Sequence, residues 1–119
     1  MAKTLALVFG IVFIVVGILG FIPNPIVGHD ALFHTNSVHN LVHLIIGIVL
    51  LIGAGAGEGL SKTLLLVIGV VYLLVAVLGF LAVDETGKGM ILNLVAINKA
   101  DNLLHLVLGV VLIGAGRLK

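Results

Sequence analysis

One apolar segment occurs twice in this chain, and that repeat constrains the fold more than any other feature. Lys3-Thr-Leu-Ala-Leu-Val-Phe-Gly10 returns as Lys62-Thr-Leu-Leu-Leu-Val-Ile-Gly69. Aligning residues 3–21 with 62–80 leaves eleven of nineteen positions identical, and every exchange is apolar for apolar or glycine for alanine. A polar motif follows each copy. Asn36-Ser-Val-His-Asn-Leu-Val-His43 is echoed 62 positions later by Asn98-Lys-Ala-Asp-Asn-Leu-Leu-His105. The chain therefore reads as a single domain, residues 1–119, built of two tandem repeats, 1–59 and 60–119.

Each repeat holds two apolar runs, and lipid is the only solvent that suits them. The chain is 61% hydrophobic and 9% charged, against roughly half and a quarter in soluble domains. Too little polar surface exists to coat a globule in water. In a bilayer each backbone group must be paired internally, which leaves helices or closed barrels. Runs of about 20 residues span as helices, so helices are expected near 4–22, 37–54, 62–82 and 99–116. The first run is not read as a cleaved signal. No small-residue cleavage site follows it, Pro23 and Pro25 end it, and it recurs mid-chain. The expected fold is all-α: an integral membrane four-helix bundle of two tandem hairpins. Two spans per repeat point both hairpins the same way, with a pseudo-twofold axis along the membrane normal.

The connections carry less information. Residues 53–59, Gly-Ala-Gly-Ala-Gly-Glu-Gly, read as a flexible turn. Ala31-Leu-Phe33 and Met90 to Ile97 are too short to span and read as interfacial or re-entrant pieces. Lys3, Lys62, Arg117 and Lys119 flank one face, and Lys88 and Lys99 the other. That bias is expected to place both termini in the cytoplasm.

The polar motifs are where function is sought. At about 100° per residue, Asn36, His39, Asn40, His43 and Gly47 share one helix face, as do Asn98, Asp101, Asn102, His105 and Gly109. Such a face should look inward, because lipid has no use for Asn or His and glycines mark close backbone approach. One reading is structural. Asn36 and Asn98 stand at N-cap positions, with Asp101 as the partner in a capping box. Asn40, Asn102, His43 and His105 would then hydrogen-bond across helices. The other reading is a ligand site. His39 and His43, and Asp101 and His105, are each four residues apart and point the same way. Four such groups around one axis suit zinc or a similar divalent ion. Alternatively His43 and His105 are axial ligands of a haem or another tetrapyrrole. His29 and His34 have no copies in the second repeat and read as solvated, with His34 a lesser candidate to join the cluster.

The pattern Leu-Phe-x-x-Asn-x-x-His-Asn-Leu-Val-His-Leu from Leu32, with Gly47 four residues beyond its last His, resembles an uncharacterised bacterial family of small four-span membrane proteins. So does Asn-x-Ala-Asp-Asn-Leu-Leu-His-Leu-x-Leu-Gly from Asn98 to Gly109. That family carries a domain-of-unknown-function label. The resemblance implies four spans and marks the paired Asn, His and Asp positions as its signature.

Other chemistries have little support. The chain has no cysteine, which excludes thiolate sites. A net charge of +1 offers no field for nucleic acid. Ser37 and Ser61 lack a His–acid partner in the sequence, and the glycine run lacks the Lys-Ser/Thr of a phosphate loop. The expectation is a non-enzymatic membrane protein, a structural or accessory subunit, with lipid and other membrane subunits or its own copies as partners. A metal- or tetrapyrrole-binding bundle is the alternative. A small transporter or channel is the third.

Overall fold

The computed structural model describes residues 1–118, so Lys119, counted above among the basic residues, lies outside it. Four helices dominate: α1 (Ala2–Leu19), α2 (Ser37–Ala56), α3 (Glu58–Ala82) and α4 (Lys99–Gly116). All four are long and apolar enough to cross a membrane. Their outer faces expose large side chains such as Ile11, Ile45, Leu74 and Val110, which suits lipid and not water. The fold is an all-α four-helix bundle, and its longest dimension of 43 Å compares with ~40–45 Å for a bilayer with its headgroups.

Small residues decide how the helices pack. A Cβ at Gly10 would lie 3.0 Å from the Gly47 carbonyl oxygen, and one at Gly47 would lie 2.7 Å from that of Gly10. Gly69 and Gly109 repeat the crossing between α3 and α4, each 3.0 Å from the other's carbonyl oxygen. Each hairpin is thus held backbone against backbone, so that dispersion contacts replace the hydrophobic drive that lipid cannot supply. Between the hairpins the core is built from equivalent pairs: Phe13 and Tyr72, with ring centroids 5.5 Å apart, and Leu50 and Leu112, both fully buried. Each pair joins positions that the repeat makes equivalent, 59 residues apart for Phe13 and Tyr72 and 62 for Leu50 and Leu112.

The turns differ from expectation in two places. The glycine-rich run is not a flexible turn. α2 continues through Ala56, and Gly57 alone makes the connection, with φ at +125°. Only glycine adopts that angle freely. The Ser61 hydroxyl then donates to the Gly53 carbonyl at 3.0 Å, pairing one carbonyl near the end of α2. At this same end the N-terminal ammonium sits 3.0 Å from Glu58.

At the opposite end the two apolar patches are not re-entrant pieces but small β pairings. Val27–Gly28 (β1) pairs in parallel with Phe33–His34 (β2). Lys88–Ile91 (β3) pairs antiparallel with Val95–Asn98 (β4). The physical reason is the demand for backbone partners: segments too short for a helix satisfy their N–H and C=O groups against each other. Asn24 organises the first connection. Its Nδ2 donates to Leu19, Ile22 and Val27 carbonyls at 2.6–2.8 Å, and its Oδ1 accepts from the Ile26 and Val27 amides. The Pro-Asn-Pro turn therefore ends α1 by pairing the Leu19 carbonyl as well as by blocking the helix. In the second connection, the Thr86 hydroxyl and amide hold the Asp84 carboxyl below its usual range.

One substitution should act with opposite sign at two glycines of α2. Gly47→Ala places a methyl 2.6 Å from Ile14 Cγ1 and against the Gly10 carbonyl. It should lower the melting temperature in detergent by the equivalent of ~1–3 kcal/mol. Gly55→Ala meets nothing within 4 Å and should raise stability by up to about 1 kcal/mol through helix propensity. Equal shifts for both would refute close packing at Gly47.

Candidate metal centre

The polar end of the bundle is built from two asparagine caps. The Asn36 Oδ1 accepts from the His39 amide at 2.9 Å, and the Asn98 Oδ1 accepts from the Asp101 amide at 2.9 Å. Each side chain then spends its second group on the other repeat. Asn36 Nδ2 donates to the Leu94 carbonyl at 3.0 Å, and Asn98 Nδ2 donates to the Leu32 carbonyl at 2.9 Å. Residues 32 and 94 stand 62 positions apart, as do the two asparagines. The pair is thus a reciprocal clasp across the axis. Leu94 closes the β3–β4 turn, where Leu92 and Asn93 both hold positive φ, at 54° and 56°. For a leucine that angle is uncommon, and the clasp helps to hold the turn that contains it.

One turn into the helices, His39, His43 and His105 meet. All three are buried, at 2%, 6% and 2% exposure. One ring nitrogen from each lies within 4.8 Å of the others. The ring centroids of His39 and His43 are 4.5 Å apart, those of His39 and His105 5.6 Å, and those of His43 and His105 6.4 Å. Phe13 packs against His43 and Tyr72 against His105, at 5.8 and 5.1 Å, so the aromatic pair on the axis floors the cluster.

Hydrogen bonding prepares the cluster asymmetrically. His39 Nδ1 donates to the Ala96 carbonyl at 2.6 Å. Because a carbonyl only accepts, the neutral ring carries its proton there and leaves Nε2 as a lone pair. This backbone-oriented histidine is the arrangement that metal-ligating imidazoles favour. His43 Nδ1 and His105 Nδ1 are buried and have no hydrogen-bond partner among the described residues.

Asp101 takes no part in this group. It occupies the position equivalent to His39, but its Oδ2 accepts from the Asn98 amide at 2.9 Å, which completes the capping box of α4. The expected four-ligand set therefore contracts to three histidines: a short carboxylate in the first helical turn reaches back to the cap. His34 also stands apart, bonded through Nδ1 to the His29 carbonyl at 2.6 Å.

The expected hydrogen bonds across helices from Asn40, Asn102, His43 and His105 are replaced by packing. Asn40 sits on the backbone of Gly20 and Asn102 on that of Gly79, each filling the space a Cβ would need. Among the described residues, Asn40 Oδ1 and both terminal atoms of Asn102 are buried without partners, as is Thr35 Oγ1. Buried polar atoms normally find partners, and here the exceptions share one end of the bundle. Thr35 was not singled out by its sequence, because a lone threonine before a cap carries no pattern. The roles of Leu32 and Leu94 were equally hidden, since only their backbone acts.

Residues 3–118 match the family model described as "Domain of unknown function (DUF4383)". No curated protein and no solved structure matches the chain.

The clasp is separable from the cap. Asp caps a helix as well as Asn does, but it lacks the Nδ2 that reaches Leu94. Asn36→Asp should therefore keep α2 capped yet lower stability by about 0.5–1.5 kcal/mol, the net contribution of one hydrogen bond. Unchanged thermal melting in detergent would show that the clasp contributes nothing.

Proposed function

The chain belongs to the DUF4383 family, and we propose that this small membrane protein binds one divalent transition-metal ion on His39, His43 and His105. The observation that carries the proposal is the convergence of three buried imidazoles within 4.8 Å, two of them with unpartnered Nδ1 atoms. Tetrahedral Zn–N bonds of ~2.0–2.1 Å bring ligand nitrogens to ~3.4 Å from one another. Rotamer adjustments in the first turns of α2 and α4 would be enough to close that gap. Three protein nitrogens leave a fourth position open, as in sites where the ion also meets water or another ligand. An all-imidazole set suits zinc, copper or nickel better than magnesium or calcium.

A tetrapyrrole is the weaker alternative. The cavities beside the cluster have volumes of about 190 and 90 Å³, below the ~300 Å³ at which small-molecule pockets begin, and a macrocycle is larger still. We assign the protein no reaction. In the topology we favour, the end bearing Lys3, Lys62 and Arg117 faces the cytoplasm of a bacterial cell and the histidines lie near the outer face. The N-terminus next to Glu58 supports placing the first helix start and the α2–α3 turn at one membrane face. The rival reading is a structural or accessory subunit whose polar end only holds the bundle together.

Thermal melts in detergent, with zinc and with chelator, separate the two. At a hundredfold excess over Kd, zinc should stabilise the wild type by about 2.7 kcal/mol, and His43→Ala should abolish that increment. Wild-type melting indifferent to zinc, copper, nickel and chelator would remove the metal and leave the structural reading. A titration should saturate at one ion per chain.

A further inference from the structure

The histidine cluster is flanked by two cavities related by the same axis that relates the repeats. One lies in the seam between α1 and α4, with Val16, Leu104 and Leu108 in its wall. The other lies between α3 and α2, with the equivalent Val75, Val42 and Ile46. His43 and His105 line both. The frame is symmetric, but the cavities are not.

Three exchanges distinguish the α1–α4 cavity, which is the larger of the two. Its volume is about 190 Å³ against 90 Å³ for its mate. Asp101, drawn back to its cap, stands where the bulkier His39 fills the second seam. Phe13 stands in place of Tyr72. Thr35, the residue before the first cap, adds a hydroxyl where the second repeat has Ile97. That hydroxyl is unpartnered on a residue 1% exposed, and His105, 2% exposed, has an unpartnered Nδ1. Almost wholly apolar walls, with unpartnered polar atoms buried on two of the lining residues, describe a site for an amphiphilic guest.

The mouth says where such a guest comes from. Val12 and Ile26 line the cavity and are about half exposed, at 48% and 54%. They belong to the outer apolar surface, so the cavity opens sideways, toward hydrocarbon. Its volume says how large the buried part is, since an apolar cavity of ~150 Å³ holds one benzene ring. We propose that the α1–α4 cavity binds the single-ring, oxygen-bearing head of a membrane-soluble molecule of the quinone or phenol class. The ring lies among Phe9, Phe13 and Phe33. Its oxygen meets Thr35 Oγ1 and an imidazole Nδ1, and its tail stays in lipid. None of this requires the ion.

Two probes with one tail test the inference on the full chain in detergent, with chelator present: a decyl-substituted benzoquinone and decylbenzene. The quinone should raise the melting temperature saturably at one per chain. Decylbenzene, which leaves the polar atoms unpartnered, should bind roughly tenfold more weakly. Val16→Phe, which puts a ring of the protein's own in the cavity, should remove saturable binding. Thr35→Val removes a buried unpartnered hydroxyl while nearly keeping its shape, so the variant should fold at least as stably as the wild type. It should shrink the quinone's advantage over decylbenzene. Equal, unsaturable shifts with both probes would reduce the effect to partition into detergent and overturn the proposal. So would an undiminished quinone preference in Thr35→Val. A protein that binds zinc but not quinone refutes only this inference, and one that binds quinone but not zinc refutes only the metal reading.

Discussion

Asn36 reaches Leu94 while Asn98 reaches Leu32, and the polar end of the molecule depends on that exchange. At a membrane boundary a backbone carbonyl outside a helix still calls for a partner. Each asparagine settles two such debts together: its oxygen takes an orphan amide at a helix start, and its amide group takes an orphan carbonyl in the opposite repeat. The β1–β2 and β3–β4 pairs are then tied to the N-termini of α2 and α4 across the axis. That brings Ala96 over His39 and holds the first turns of both helices, where the three histidines project, in one layer.

Much of this was legible in the sequence because it rests on local periodicity and on the repeat. The helices follow from runs of apolar residues, and the inward faces from the coincidence of Asn, His and Gly on one stripe. The caps at Asn36 and Asn98 follow from their place before those runs. What was not legible depends on pairings distant in sequence or on single dihedral angles. The β pairs are read from no alternation, because strands of two or four residues at a membrane boundary are chosen by the need for partners and not by propensity. The glycines at 53 and 55 argued for a loop, but the helix persists through them. Close packing against Leu64 and the Ser61 hydroxyl at Gly53 override a propensity penalty of about 1 kcal/mol each.

The site shows how a duplicated frame acquires distinct halves. His39 and Asp101 occupy one symmetry-related position and do different things. The imidazole is too long to return to its own cap and donates instead to the opposite repeat. The carboxylate is short enough to close its capping box. From that one difference follow a three-histidine cluster in place of a four-ligand one, and a wider seam beside α4. Sequence reasoning placed both residues at the axis, because their spacing from His43 and His105 is identical. It could not tell which would be spent on its own backbone, a choice made by one or two ångströms of reach.

The unpartnered atoms bear most directly on what the protein is for. Gly10, Gly47, Gly69 and Gly109 bring the helix backbones into contact without bonds from Asn40, Asn102, His43 or His105. Polar side chains help as interhelical glue when they bond one another. Here Asn40, Asn102, His43 and His105 keep buried polar atoms without such bonds, and each atom left so costs about 1–3 kcal/mol. Within the chain, residues 36–54 and 98–116 differ at eleven of nineteen positions, yet both copies retain these asparagines and histidines. An apolar residue at any of them would relieve the penalty. A ligand of the kind proposed above would offset that penalty in both repeats, since His43 and His105, one from each, meet in the same cluster with His39.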